Sequence, residues 1–182
     1  YYAELIEAVD SENLNIYLYH IPPISQIPLS VQLIEKLAQN YPKNIAGIKD
    51  SSGDWNQTKA FNELAIDNFR VFCGSESLLL QNMQAGGAGC ISATANVNPA
   101  AINNLCSTWQ SEDAKQKQVE LDQIRNIFQG YPMIPALKAA TALYSEDPDW
   151  HRVSPPLTKL TDAQLTELTS ALSAAEFQMP DI

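Results

Sequence analysis

Two side chains in this sequence have the chemistry to work on a carbonyl group. Lys49 follows the apolar run "IAGI". An amine held in apolar surroundings loses the hydration of its charged form, so its pKa falls and the neutral amine becomes a nucleophile. Such amines condense with carbonyl substrates into Schiff bases. The plainer alternative is a lysine that has reached a loop and points to water, and the rarity of buried lysine favours it. Tyr19 lies in "NIYLYHIPP", residues 15–23, where a β-branched and aromatic strand must stop because Pro22 and Pro23 cannot continue a ladder. A phenol near an amine shuttles protons during imine formation and bond cleavage. The alternative is a sheet tyrosine whose hydroxyl meets a backbone carbonyl. Neighbouring parallel strands lie about 4.8 Å apart, so residues at two adjacent strand ends can face one small space.

Other polar residues carry weaker signals. "KDSSGD", 49–54, sits at a strand-to-helix turn and offers backbone N–H groups to an anion, but it is not a nucleotide P-loop. In "GGAG", 86–89, helix capping explains the first glycines better than phosphate binding does. His20 and His151 are too isolated to ligate a metal, and His20 reads as facing solvent or anchoring a loop. Asp50, Asp54 and Glu76 are candidate polar ligands without metal spacing. Trp55, Trp109 and Trp150 read as packing. Cys73, Cys90 and Cys106 are odd in number and widely spaced, so neither a disulfide framework nor a zinc site is expected, only reduced thiols.

The elements that must position these residues alternate. Strand-like runs at 16–19, 45–49, 69–73 and 88–92 are separated by helical segments, among them "VQLIEKLAQNY" behind the N-cap Ser30, with Val31, Leu33, Ile34 and Leu37 on its apolar face. A helix is expected from about Asn56 to Ala65. The four-fold alternation predicts parallel strands joined by right-handed crossovers and covered by helices on both faces. From Ser111 the pattern becomes all helical: "EDAKQKQVELDQIRNIFQ", "IPALKAATALY" and "TDAQLTELTSALSAA", the last capped by Thr161. The fold class is α/β with a helical C-terminal extension.

The 182 residues are 45% hydrophobic and 18% charged, the balance of a folded domain. With 21 acidic residues against 11 basic, the net charge of −10 repels phosphate backbones, and nucleic acid is not an expected partner. No basic amphipathic stretch suggests a membrane surface and no apolar run is long enough to span one. The expected setting is the cytoplasm. The first residues, "YYAELIEAV", read as a helix already under way, without an initiating methionine or a signal peptide.

Taken in order, "YHIP" at 19–22, "GIKDSSGD" at 47–54, "CGSE" at 73–76 and "GGAGCISATANVNP" at 86–99 resemble the dihydrodipicolinate synthase / N-acetylneuraminate lyase family over nearly the whole chain. The resemblance implies a class I, pyruvate-handling aldolase on a (β/α)₈ barrel with helical C-terminal extension, and no cofactor or metal. By the same resemblance, Lys49 matches the Schiff-base lysine and Tyr19 the proton-relaying tyrosine. Ser51 matches a substrate-contacting hydroxyl, and Gly74 and Ile91 match positions lining the pyruvate and aldehyde site. Residues 1–109 would then be the second half of the barrel and 110–182 the extension.

Two departures qualify the resemblance. The family's synthases place an arginine shortly after the tyrosine motif to bind a distal carboxylate, and "PPISQ" here supplies no charge around Ile24. The first four strands, with their Gly-Thr-Thr loop, have no counterpart, and the opening "YY" matches the segment after the fourth. The expected function is a Schiff-base lyase, aldolase or synthase acting on pyruvate or another 2-keto acid with an aldehyde, working as a homo-oligomer or with the missing half-barrel. The alternative is a non-catalytic barrel fragment that binds a keto acid or a complementary chain. A third reading is a phosphate-binding α/β protein using "SSGD".

Overall fold

The computed structural model describes residues 1–179. The described residues form two compact units, Tyr1–Ile91 and the residues from Ser92 onward. The first unit runs α1 (Tyr2–Val9), β1 (Ile16–His20), the one-turn α2 (Pro22–Ser25), α3 (Val31–Asn40), β2 (Ile45–Asp50), α4 (Trp55–Asn62), β3 (Arg70–Cys73), α5 (Leu79–Gln84) and β4 (Gly89–Cys90). All four strands are parallel, in the order β1-β2-β3-β4. This is the expected α/β alternation, and it matches part of a (β/α)₈ barrel.

Local chemistry explains the boundaries. The prolines that end β1 occupy the first turn of α2, where a missing N–H costs nothing. Ser30 Oγ accepts from Leu33 N at 3.2 Å to start α3, and Asp54 Oδ1 accepts from Asn56 N at 2.9 Å to start α4. Helix α3 buries Ile34, Leu37 and Ala38, the i, i+3, i+4 set of one face, and Leu33 turns outward at 37% exposure. Helix α4 stops at Asn62, short of Ala65. Strand β4 is shorter than expected, but its ladder bonds run on, from Ala88 N to Val71 O at 2.8 Å and from Ile91 N to Cys73 O at 2.9 Å.

The core of this unit lies on one side of the sheet. Leu18, Ile45, Ile48 and Val71 meet Ile6, Leu29, Ile34, Leu37, Ala38 and Phe61 from the loops and helices. Coverage on both faces, expected from the apolar strands, is not found: Tyr17 and Tyr19 project from the opposite face and are 41% and 49% exposed. On that open face the rings of Tyr17 in β1 and Phe72 in β3 meet edge to face, 5.8 Å apart at 65°. They do so above Gly47, the register partner of both Tyr17 and Arg70. A Cβ at Gly47 would collide with the Arg70 carbonyl and the Tyr17 ring. Gly47→Ala is therefore expected to lower stability by about 1–3 kcal/mol, the usual scale of overpacking, read as a lower urea midpoint at unchanged m.

The second unit is helical: α6 (Pro99–Ser107), α7 (Ala114–Gln129), α8 (Met133–Ser145) and α9 (Asp162–Ala174). Thr161 and Gln164 form a full capping box at the start of α9. Val97, Phe128, Ala136, Leu137, Ala140, Leu168, Leu172 and Phe177 make its core. Trp150, expected to pack, is instead 44% exposed, with Lys138 Nζ 4.9 Å from the ring centroid. Among the described residues no helix is long and apolar enough to cross a membrane.

Candidate active site

Parallel register sorts the strand ends into rows. Tyr19, Lys49, Phe72 and Gly89 form one row across the sheet, and His20, Asp50, Cys73 and Cys90 form the next. Because successive side chains alternate in direction, the first row belongs to the open face and the second to the helix-covered face. A further row follows: Ser51 N donates to His20 O at 2.7 Å, Gly74 N to Asp50 O at 2.6 Å and Ile91 N to Cys73 O at 2.9 Å. Ser51, Gly74 and Ile91 thus continue the ladder one step past the strands and return to the side of Tyr19 and Lys49. All five residues singled out from the sequence lie in two rows at the carboxyl end of one sheet.

Lys49 is half-buried, and its Nζ donates to Tyr19 Oη at 3.1 Å. The same ammonium lies 4.1 Å from the Tyr19 ring centroid, where the ring's negative face attracts it. Burial pushes the Tyr19 phenol upward, but the hydrogen bond with Ser51, followed by the bond to Lys49 and its charge, outweighs burial and holds the phenol below its usual range. Gly74 makes the Ser51 contact possible, since a Cβ there would overlap Ser51 Oγ and the Asp50 carbonyl. In a spectrophotometric titration of the seven tyrosines, Tyr19 is expected to ionise below the ordinary range. Tyr19→Phe should remove that step, and Lys49→Ala, which deletes two of the lowering causes, should move it upward. A titration unchanged in Tyr19→Phe would contradict this.

Behind the open face lies a polar cluster that the sequence did not reveal as one. His20, expected to face solvent or anchor a loop, is only 2% exposed. Its Nδ1 lies 2.9 Å from Asp50 Oδ1. Asp50 Oδ1 also accepts from Ser52 N at 2.9 Å, and Oδ2 accepts from Ser52 Oγ at 3.0 Å and Thr58 Oγ1 at 2.6 Å. A carboxylate only accepts, so Nδ1 carries the proton; Nε2 has no protein hydrogen-bond partner, and the Phe61 ring stands edge-on at 5.4 Å. This cluster fixes the turn that carries Ser51. It also engages three of the turn's donors: the N–H of Ser51 goes to His20 O, that of Ser52 to Asp50, and that of Asp54 to Ser52 Oγ at 3.2 Å. Asp50 and Glu76, candidate ligands from sequence, are both buried, and no group of three or more potential metal ligands occurs among the described residues. Thr58, on the first turn of α4, had no sequence signal beyond its place after an N-cap.

Known proteins resemble this chain over most of its length. The family model of the Dihydrodipicolinate synthetase family matches residues 1–175. An "Uncharacterized DapA-like lyase" of Chloroflexus aurantiacus is 29% identical over 175 residues, 94% of this chain and 56% of that protein. A 4-hydroxy-tetrahydrodipicolinate synthase of Methanopyrus kandleri is 32% identical over 168 residues, 90% of this chain and 53% of that one. Among solved structures, YagE, a prophage protein of the dihydrodipicolinic acid synthase family from E. coli K12 in complex with pyruvate, superposes with a TM-score of 0.84 at 26% identity, covering 97% of this chain and 61% of its own. The chain thus spans a little over half the length of the relatives it matches. With the family model covering all but its last residues, the chain belongs to the Dihydrodipicolinate synthetase family.

Proposed function

We propose that this chain carries the Schiff-base machinery of a carbon–carbon lyase or aldolase, synthase-like, acting on pyruvate or another 2-keto acid. The observation that carries the reading is the Lys49 Nζ–Tyr19 Oη contact of 3.1 Å at adjacent carboxyl ends of parallel strands, where barrel enzymes build their sites. Family membership and the pyruvate bound by YagE support it.

In this reading the Lys49 amine attacks the keto carbon. Tyr19 gives a proton to the carbinolamine hydroxyl, which leaves as water, and the imine forms. The imine draws electrons from the adjacent carbon, which loses a proton to become an enamine and adds to an aldehyde; cleavage is the reverse. Tyr19 then exchanges a proton with the aldehyde oxygen. A phenol already held below its usual range suits both directions of transfer. Ser51 steadies the phenol on its other side, and Gly74 and Ile91 line the substrate's approach, partly through backbone. The segment 20–26 offers no cation on its surface; Ile24 there is 77% exposed. The aldehyde is accordingly one without a second carboxylate at that position. The rest of the barrel comes from the remainder of the protein or from a complementary chain, the whole self-associates, and it acts in the cytoplasm.

Borohydride reduction in the presence of pyruvate tests the reading. A pyruvate-derived mass on the peptide containing Lys49 supports it. A folded chain that acquires none supports the rival, a non-catalytic fragment that binds a keto acid or a partner.

A further inference from the structure

We propose that Cys73 and Cys90 are an oxidative modification site, a thiol pair that closes into a reversible disulfide between β3 and β4. The two residues are seventeen positions apart in the chain and direct Cα partners in the ladder. Directly opposed strand residues lie about 4.8 Å apart, inside the roughly 4.4–6.8 Å that a disulfide spans between Cα atoms. As register partners, their side chains share the helix-covered face. The Cys73 thiol also lies 3.5 Å from Gly89 O.

The backbone is held at this spacing before any bond forms. Buried Asn82 in α5 donates from Nδ2 to Val71 O of β3 at 3.1 Å and to Gly89 O of β4 at 2.9 Å. Its Oδ1 accepts from Asn62 Nδ2 at 2.8 Å. Closing the disulfide therefore needs rotation of two side chains rather than movement of strands. The pair sits at the short end of the disulfide range, and bonds away from relaxed geometry are the more readily reduced.

Exposure sets the order of events. Cys73 is fully buried, whereas Cys90 is partly exposed. Contact with the Cys90 thiol, and then burial, push the Cys73 thiol far above its usual range, so Cys90 is the thiol that meets an oxidant. With hydrogen peroxide, the Cys90 thiolate attacks one oxygen, the O–O bond breaks, and Cys90 becomes a sulfenic acid while the other oxygen leaves as water. The Cys73 sulfur then attacks the Cys90 sulfur; the sulfenic hydroxyl leaves with the Cys73 proton as a second water. Two thiols and one peroxide give one disulfide and two waters. The buried partner never has to reach the oxidant.

The bond would join the residues immediately before Gly74 and Ile91, locking the ends of β3 and β4 together. It does not depend on the lyase reading. The test uses the chain itself: reduced protein is treated with a slight excess of hydrogen peroxide, alkylated, digested without reductant and mapped by mass spectrometry. The expected product is a monomer lacking two hydrogens, with Cys73 linked to Cys90, only Cys106 alkylated, and the link released by dithiothreitol. Cys106→Ser should leave the link intact, and Cys90→Ser should abolish it. Three alkylated cysteines after oxidation, a link through Cys106, a link between two chains, or Cys90 over-oxidised without a link would each overturn the proposal.

Discussion

Lys49→Ala is expected to abolish the borohydride-trapped pyruvate adduct, and Tyr19→Phe to form it about 10²–10⁴ times more slowly, the usual worth of a positioned acid–base group. The two substitutions separate two roles. Removing the amine removes the atom that becomes bonded to substrate, so no trapping remains at that position. Removing only the phenolic oxygen leaves the amine, the ring beneath it and the strand register in place, because the Lys49 ammonium also lies against the Tyr19 ring face. What disappears is the hydroxyl 3.1 Å from Nζ, and with it the proton that lets the carbinolamine lose water. A trapped adduct persisting in Lys49→Ala would mean that another amine does the chemistry. An unchanged trapping rate in Tyr19→Phe would take the phenol out of the proton path while leaving Lys49 in its role.

Asp50→Ala should destabilise the first unit strongly, since each buried polar group left without its partner costs about 1–3 kcal/mol. Asp50 is 2% exposed and accepts four hydrogen bonds. Truncation leaves the His20 imidazole, the Thr58 hydroxyl and both polar groups of Ser52 facing a void that the packed ring of Phe61 cannot fill. Against a total stability of about 5–15 kcal/mol, that is a large fraction. Asp50→Asn keeps the shape and one acceptor oxygen, and should lose less. Urea unfolding at constant m ranks the two. If Asp50→Ala unfolds with its parent, the cluster does not hold the turn.

Much of this was readable from residue types, and the failures have physical causes. Alternating apolar periods located all four strands, because strand and helix differ in the spacing of their buried residues. Lys49 and Tyr19 stood out as a lysine and a tyrosine at strand ends, but their contact depends on the pairing of β1 with β2, which sequence does not encode locally. His20 was read as facing solvent or anchoring a loop because histidine at a strand end has no strong burial preference; its partner, thirty residues on, decides its place. The thiol pair was hidden for the same reason, since a helical crossover separates two cysteines that the ladder sets side by side. Trp150 reads as packing from its type, yet it stays at the surface with the Lys138 ammonium over its ring.

The alternating rows at the strand ends impose a parity on this chain. From Tyr17 and Gly47 onward, beyond a register shift near the start of the pair, odd and even positions have incompatible duties: one parity holds a phenol and an amine toward the open face, the other an imidazole and a carboxylate in the helix layer. Losing or gaining a single residue between Tyr17 and His20, or between Gly47 and Asp50, would exchange them, driving Tyr19 or Lys49 among apolar side chains and turning His20 or Asp50 outward. Such length changes are closed to a descendant of this sequence. Diversification is left to substitutions that respect the parity, and to length changes beyond Ser51, Gly74 and Ile91, whose N–H groups still belong to the ladder.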